Sequence, residues 1–276
     1  MMPGGQQSQY QEMDPELELK PFKIAPELED LILEWCVHLY PLRKASTFAR
    51  ISKRTQKRVE PIIYRTIKLS GNLESGKTSH HLPFLFCIRA RPKAFFARHV
   101  VNLMIEFSVP DGCVPEILEA CTGVRNLALL QWNDRSNSLP SLMRPLCENL
   151  TSLSAPSRIL GNMAAAGLVC PNVRQMTIFT NENMRFPPFD WLPNLKFVET
   201  AYEISHLYSN GQWLSETRQV LAGVPNLRGL SVRVWDSTGI IWRSFQDSPE
   251  IQDRRVSVRY SHRLEDLWWD YTFHQR

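Results

Sequence analysis

One stretch of the sequence has the residue types and spacing of a phosphate-binding loop. Residues Gly71–Thr78 are GNLESGKT, which matches the pattern G-x-x-x-x-G-K-[ST], and they follow a predicted strand. In such a loop the glycine amides cradle phosphates, Lys77 would neutralise them and Thr78 would bind Mg²⁺. However, a P-loop lysine opens a long helix, whereas Pro83 follows five residues after Thr78, and no apolar run that ends in Asp supplies the other Mg²⁺ ligand. We therefore interpret Gly71–Thr78 as a connector and keep nucleotide binding as an alternative.

No other pattern in the sequence indicates catalysis or metal binding. The sequence has no C-x-x-C, H-x-x-x-H, H-E-x-x-H or G-x-S-x-G spacing, which would indicate a zinc site or a hydrolase nucleophile. Cys121, Cys147 and Cys170 each precede a repeated apolar position by three residues, so we interpret them as small core residues. The sequence therefore predicts a protein that is not an enzyme, with no catalytic residue, metal or cofactor, in the reducing cytoplasm or nucleus.

Length and composition predict a globular protein. The chain has 276 residues, of which 43% are hydrophobic and 22% charged, and its formal net charge is +4. No apolar run reaches the ~18 residues that a membrane span needs, and residues 1–22 lack the pattern of a secretory signal and are expected to form a disordered leader. The mild positive charge permits an acidic partner, and we expect no nucleic-acid or membrane partner.

An apolar phrase that occurs six times predicts the secondary-structure elements that would position any site. The phrase is apolar-x-x-apolar-x-apolar, usually after Asn, and its first residues, here called the anchors, are Val100, Val124, Leu150, Val173, Leu195 and Leu227. The anchors are separated by 24, 26, 23, 22 and 32 residues. A period in the twenties with this core is the signature of leucine-rich repeats. The sequence therefore predicts an α/β fold, an irregular leucine-rich-repeat solenoid with parallel strands on its concave face and short helices on its convex face.

Further elements are expected around and between the anchors. Helices are predicted at 26–40, at 42–64 with a break near Pro61, at 84–90, and on the convex side at 115–120, 142–147, 163–169 and 215–224. Extra strands are predicted at 65–70 and 256–260, and an aromatic cap at 264–271. The expected domains are the leader at 1–22, a helical module at 23–65, a connector at 66–94 and the solenoid at 95–276.

The residue after each anchor is expected on an exposed strand face. These residues are Val101, Arg125, Thr151, Arg174, Lys196 and Arg228. Stacked repeats would align the four basic ones into a line across the concave surface. The next exposed positions are expected to be small or polar, namely Ala128, Ser154, Thr177, Glu199 and Ser231. This pattern favours an acidic or phosphorylated protein segment as ligand, and the alternative is a charged sheet face that only resists aggregation.

Three segments before the repeats resemble an F-box. IAPELEDLILEW at 24–35 resembles its opening, KASTFARISKR at 44–54 its later part, and EPIIYR at 60–65 the exit of fungal F-box-like proteins that continue into irregular leucine-rich repeats. The resemblance implies a small all-helical module that binds the Skp-type adaptor of a cullin-type (SCF) ubiquitin ligase, while the repeats bind the protein substrate. The residues that would contact the adaptor are Pro26, Glu27, Leu28, Leu31 and Ile32. The alternative is a repeat scaffold that does not bind the adaptor.

Overall fold

A computed structural model of the protein describes residues 24–39, 46–70, 81–106, 108–130, 138–180, 186–203, 210–235 and 252–260. The chain divides into two compact units, Met1–Val59 and Glu60–Arg276. Three predicted segments lie outside the described residues: the leader, the P-loop-like stretch Gly71–Thr78 and the aromatic cap at 264–271.

Among the described residues of the first unit, helices α1 (Pro26–Leu39) and α2 (Lys53–Ile63) begin, and residues 46–48 are also helical. The prediction of α1 is confirmed, but the single helix expected over 42–64 is wrong, because residues 49–51 form a turn. α2 begins after Ser52, whose Oγ accepts a hydrogen bond from the Thr55 amide at 3.0 Å and so caps the helix N-terminus. The expected break near Pro61 is also wrong, since α2 continues through it.

The second unit contains an open sheet of eight parallel strands that follow one another in chain order. Every repeat phrase forms one strand, and the two extra strands expected beside the phrases are present as the first and the last. The strands are β1 (Thr66–Leu69), β2 (Asn102–Ile105), β3 (Asn126–Leu129), β4 (Ser152–Pro156), β5 (Gln175–Thr180), β6 (Phe197–Glu203), β7 (Gly229–Trp235) and β8 (Val256–Tyr260). The fold is therefore α/β with an all-parallel sheet.

Helices connect most of these strands. They are α3 (His81–Ala90), α4 (Lys93–His99), α5 (Val114–Ala120), α6 (Leu139–Cys147), α7 (Ser157–Ala165) and α8 (Asn210–Gly223). The predicted helices are present with shifted bounds. α4 was not predicted, because a seven-residue helix is too short to show a clear apolar period.

The apolar positions of each phrase pack against the helices, as predicted. In the second phrase Val124, Leu127 and Leu129 are buried in one continuous core with Ile117 and Leu118 of α5. The anchors of all six phrases are buried in the same core. Because side chains alternate along a strand, the intervening residues lie on the other side of the sheet, which we call the opposite face.

The asparagine that precedes several anchors ties one repeat to the next. In each case its side-chain Nδ2 donates a hydrogen bond to a backbone carbonyl one repeat earlier. The bonds are Asn149 to Thr122 O at 3.1 Å, Asn172 to Glu148 O at 2.7 Å and Asn194 to Pro171 O at 2.8 Å. The asparagine in the phrase is therefore explained by inter-repeat hydrogen bonding rather than by the strand itself.

Gly123 departs from this asparagine pattern for a steric reason. It occupies the position before the anchor Val124, where α4 comes close to the backbone. A Cβ at Gly123 would lie only 1.8 Å from the carbonyl oxygen of Ala97. Because no side chain fits there without moving α4, glycine replaces asparagine at this one repeat.

Candidate functional site

The residues that follow the anchors form one continuous column at the N-terminal edge of the sheet. Each backbone amide in the column donates to the carbonyl of the preceding member, in the pairs Arg125 to Val101 at 2.9 Å, Thr151 to Arg125 at 2.7 Å, Arg174 to Thr151 at 2.9 Å, Lys196 to Arg174 at 2.9 Å and Arg228 to Lys196 at 2.7 Å. Neighbouring strands are about 4.8 Å apart. The structure therefore brings together Arg125, Arg174, Lys196 and Arg228, which the sequence singled out.

The column extends by one basic residue at each end. At the first strand, the Val101 amide donates to Arg65 O at 3.0 Å. At the last strand, Val256 is the register partner of Leu230, so Arg254 holds the position equivalent to Arg228. We call the six residues the basic column: Arg65, Arg125, Arg174, Lys196, Arg228 and Arg254. Sequence reasoning missed the two end members because β1 and β8 lack the repeat phrase, although both strands were predicted.

The basic column differs from six other basic side chains of the second unit, which are paired with carboxylates. Elsewhere lysine and arginine pair with carboxylates, in Lys68–Glu106, Arg89–Glu116, Arg91–Glu60, Lys93–Glu119, Arg233–Glu199 and Arg255–Asp253. Among the described residues, no member of the basic column has an ion-pair partner. Five members are exposed and Lys196 is half-buried. Stacked like charges of this kind favour the binding of an anionic group.

The first row of the opposite face lies next to the basic column and changes character along the sheet. Its members, in register, are Thr66, Asn102, Asn126, Ser152, Gln175, Phe197 and Gly229. Towards β1 the side chains bond to one another, Asn102 Nδ2 to Thr66 Oγ1 at 2.8 Å and Asn126 Nδ2 to Asn102 Oδ1 at 2.7 Å. The polar groups at this end of the row are thus already satisfied within the sheet.

Towards β7 the same row exposes an aromatic ring. Phe197 is 43% exposed, and its ring lies beside Gly229, where an added Cβ would be 3.3 Å from the ring. The basic residues that precede this part of the row are Arg174, Lys196 and Arg228. Strands β5–β7 therefore combine an exposed apolar ring with three cationic side chains, which suits a ligand that is both acidic and partly apolar.

Five members of the second row of the opposite face are buried, contrary to expectation. Ala128, Ser154, Thr177, Glu199 and Ser231 were expected to be exposed, and all five are buried. The alternation rule correctly assigns them to the opposite face, but it carries no information about whether that face is open to water. Among the described residues of β3–β7, the second row therefore offers no exposed side chain to a ligand, whereas the column and Phe197 of the first row do.

The acidic member of that second row is neutralised inside the protein. Glu199 Oε1 accepts a hydrogen bond from Arg233 Nε at 2.6 Å, and both side chains are buried. A buried carboxylate is tolerated only when it is paired in this way. Glu199 is therefore committed to Arg233 and does not neutralise the basic column.

Helix α1 exposes its apolar stripe rather than its charged side. Leu28, Leu31, Ile32 and Trp35 follow the i, i+3, i+4, i+7 spacing of one helix face, and each is between 49% and 62% exposed. Pro26 and Glu27 are exposed as well. These residues include every position that the F-box resemblance places at the adaptor contact.

The charged side of α1 is the one used within the first unit. Arg54 Nη2 lies 3.0 Å from Glu29 Oε2, and Arg58 forms an ion pair with Asp30. Glu29 and Asp30 of α1 thus pair with α2, while the apolar stripe has large side chains open to solvent. An exposed apolar stripe of this kind is characteristic of a binding helix.

The described part of the chain contains no group of His, Cys, Asp and Glu residues suited to a metal ion. It also contains no helix with the length and apolar character needed to cross a membrane. No protein-family model and no curated protein sequence matches the chain.

Proposed function

We propose that the chain is a non-catalytic protein-interaction subunit of a cullin-type ubiquitin ligase. In this proposal the helical segment at 23–65 is an F-box-like module that binds a Skp-type adaptor, and the eight-stranded unit is an irregular leucine-rich-repeat solenoid that binds the substrate. The observation that carries the proposal is the exposed apolar stripe of α1, formed by Leu28, Leu31, Ile32 and Trp35.

Burying this stripe in a partner groove supplies the binding free energy. Moving one Leu or Ile side chain from water into an apolar environment contributes about 1.5–3 kcal/mol. Several such side chains on one helix face are enough for helix-in-groove recognition, in which residues at i, i+3, i+4 and i+7 anchor the helix. Burial of the exposed apolar side chains of α1 would therefore stabilise a complex with the adaptor.

Co-expression of the full chain with a Skp-type adaptor tests the proposal. We expect the two proteins to co-elute in size-exclusion chromatography and the variant Leu31→Asp/Ile32→Asp to lose the adaptor. Phe86→Asp is the matched control, because Phe86 is 68% exposed but belongs to α3 in the second unit. Failure of the folded full chain to co-elute with the adaptor would remove the ligase role.

The basic column supports an acidic or phosphorylated protein segment as the substrate feature. Arginine pairs strongly with carboxylate and phosphate oxygens through charge-assisted hydrogen bonds. Adjacent strands are about 4.8 Å apart. Arg174, Lys196 and Arg228 lie on consecutive strands, and Arg125 lies two strands before Arg174, so a segment that crosses the strands meets several basic residues. The exposed ring of Phe197 offers an apolar contact beside the same positions.

Peptide binding tests this second part separately from the adaptor. A library of acidic and phosphorylated peptides, each paired with a neutral version, is titrated against the full chain at low and high salt. At low salt we expect each acidic or phosphorylated peptide to bind more tightly than its neutral version. The variant Arg125→Glu/Arg174→Glu should abolish this difference in affinity. Arg98→Glu/Arg144→Glu is the control of equal charge, since both residues are exposed on helices. Equal loss in both variants would mean a general charge effect and no site.

A repeat scaffold that does not bind the adaptor is the second candidate, and the basic column favours it equally. The two experiments separate the candidates. Selective peptide binding without adaptor co-elution would leave the scaffold, whereas both results together support the ligase subunit.

A further inference from the structure

Two buried cysteines on consecutive repeats lie in direct contact. Cys147 ends α6, and Cys170 precedes the anchor Val173. Each lies three residues before its anchor, so both occupy the same place in their repeats. Their Sγ atoms are 2.6 Å apart, and their exposed fractions are 3% and 0%. No backbone movement is needed to bring the two sulfurs together.

The surroundings of the pair make the two sulfurs unequal. The Cys170 thiol donates a hydrogen bond to the Cys147 sulfur, and Arg144, one helical turn earlier in α6, adds a positive charge near Cys147. The hydrogen bond and the charge lower the pKa of Cys147, whereas the same hydrogen bond and burial raise the pKa of Cys170. Cys147 is therefore the more acidic of the two thiols and the one that more readily supplies the thiolate needed for nucleophilic attack.

A third buried cysteine shows what this position looks like without such a partner. Cys121 holds the same place in its repeat, and burial alone raises its pKa to about 12. Among the described residues its thiol has no hydrogen-bond partner. Cys121 thus provides an internal control that differs from the pair in contact and not in burial.

We propose that Cys147 and Cys170 form a reversible disulfide between consecutive repeats when the protein meets a hydroperoxide. The Cys147 thiolate attacks the peroxide oxygen to give a sulfenic acid and a hydroxide, and that hydroxide takes the proton of Cys170 to become water. The Cys170 thiolate then attacks the Cys147 sulfur, and the S–O bond breaks. The hydroxide that departs takes up the proton that the Cys147 thiol released at the start, and it leaves as the second water. Two thiols and one hydrogen peroxide give one disulfide and two waters.

The disulfide would join positions 23 residues apart and so restrict the unfolded chain. It would therefore raise the melting temperature, by about 5–10 °C for a chain of this size. Because both sulfurs are buried, peroxide reaches them only when the local structure opens. We expect oxidation to be slow but specific, and reversible by a dithiol reductant.

Peptide mapping of the unaltered full chain tests the proposal without relying on a variant that folds. The reduced protein is treated with hydrogen peroxide, free thiols are blocked, and the digest is analysed by mass spectrometry. We expect a linked peptide pair containing Cys147 and Cys170, two hydrogens lighter than the reduced pair, and a raised Tm that dithiothreitol reverses. The variant Cys121→Ser should still form the link, and Cys147→Ser should not.

Two results would overturn the proposal. One is that both thiols remain fully available for alkylation when the peroxide-treated protein is afterwards unfolded. The other is that the folded protein gives the same mixture of cysteine pairings as a sample oxidised in concentrated urea, because then the native contact would not direct the chemistry.

Discussion

Helices α1 and α6 have similar apolar stripes but opposite surroundings. In α6 the side chains of Leu139, Met143 and Leu146 are completely buried against the sheet. In α1 the side chains of Leu28 and Ile32 remain about half exposed, although their spacing is equally regular. The stripe of α6 is part of a core, and the stripe of α1 is a surface.

The chain connections explain this difference. α6 lies between β3 and β4, which are neighbouring parallel strands, so the crossover helix must pack on the sheet. Among the described residues no strand precedes α1, and α2 contacts α1 through Glu29 and Asp30. An apolar stripe therefore shows which side of a helix avoids water, while the topology determines whether the protein itself covers that side.

The same contrast between covered and uncovered groups exists for ion pairs. Glu199 and Arg233 are buried together, whereas Asp253 and Arg255 are partly exposed near the start of β8. Both pairs have hydrogen-bond distances below 3 Å, at 2.6 and 2.7 Å. Their contributions to stability should nevertheless differ greatly, because only the first pair lacks access to water.

Breaking the covered ion pair should have the largest effect. The variant Glu199→Gln removes the carboxylate that accepts the hydrogen bond from Arg233 Nε inside the protein, and removing one partner of a buried ion pair costs about 3–5 kcal/mol. We expect this loss in the free energy of unfolding, measured by urea denaturation of the full chain. Asp253→Asn is the control and should change stability far less. Equal effects of the two substitutions would contradict the contrast between the pairs.

Truncating one residue in each apolar stripe should distinguish the buried stripe of α6 from the exposed stripe of α1 almost as clearly as the ion-pair variants distinguish the two pairs. Leu146→Ala creates a cavity in the core and should lower the free energy of unfolding by about 2–5 kcal/mol. Ile32→Ala removes an exposed side chain and should change it by about 0.5 kcal/mol or less. Both values come from urea denaturation followed by circular dichroism. If Ile32→Ala destabilised the chain as much as Leu146→Ala, the α1 stripe would be a core element, and the proposed adaptor contact would lose its support.

Most of the sheet could be predicted from the sequence, for a physical reason. Strands β2–β7 carry the same apolar phrase, and repeated units that bury the same positions must stack in register. The exceptions are local. α4 is too short for a periodic signal, and the start of α2 depends on the cap at Ser52 rather than on hydrophobicity.

The candidate surface could be predicted only in part. The phrase identifies Arg125 and Arg228 because the residue after an anchor has a fixed place in every repeat. The burial of Glu199 could not be predicted, because its partner Arg233 lies 34 residues away on the next strand and their contact depends on sheet register. Arg65 and Arg254 were missed for a similar reason, since only strand pairing adds them to the column.

Removing one inter-repeat asparagine bond should have a smaller effect. Asn172→Ala deletes the hydrogen bond from Nδ2 to Glu148 O at 2.7 Å, and a net loss of about 0.5–1.5 kcal/mol in the free energy of unfolding is expected. Asn226→Ala is the matched control, because Asn226 also precedes an anchor but makes no side-chain hydrogen bond to a described residue. A loss of the same size in the control would assign the effect to the loop backbone instead of the bond.

The exposed ion pair should give the smallest effect, visible mainly as a pH dependence. The Asp253 carboxylate accepts hydrogen bonds from the Arg255 side chain at 3.0 and 2.7 Å and from the Arg255 amide at 2.9 Å, which lower its pKa to about 2. An unperturbed Asp has a pKa of about 3.9. Because the folded state holds this proton less tightly than the unfolded state, the stabilisation is complete above about pH 4 and is lost as the pH falls towards 2.

Carboxyl chemical shifts of Asp253, followed by NMR from pH 6 downwards, measure this directly. The variant Arg255→Gln should return the pKa of Asp253 towards 3.9, since it removes the guanidinium and leaves the backbone amide in place. A pKa near 4 in the unaltered chain would mean that water screens this exposed pair completely. Glu199–Arg233 would then be the pair for which a short contact distance also means stabilisation, because water is excluded there.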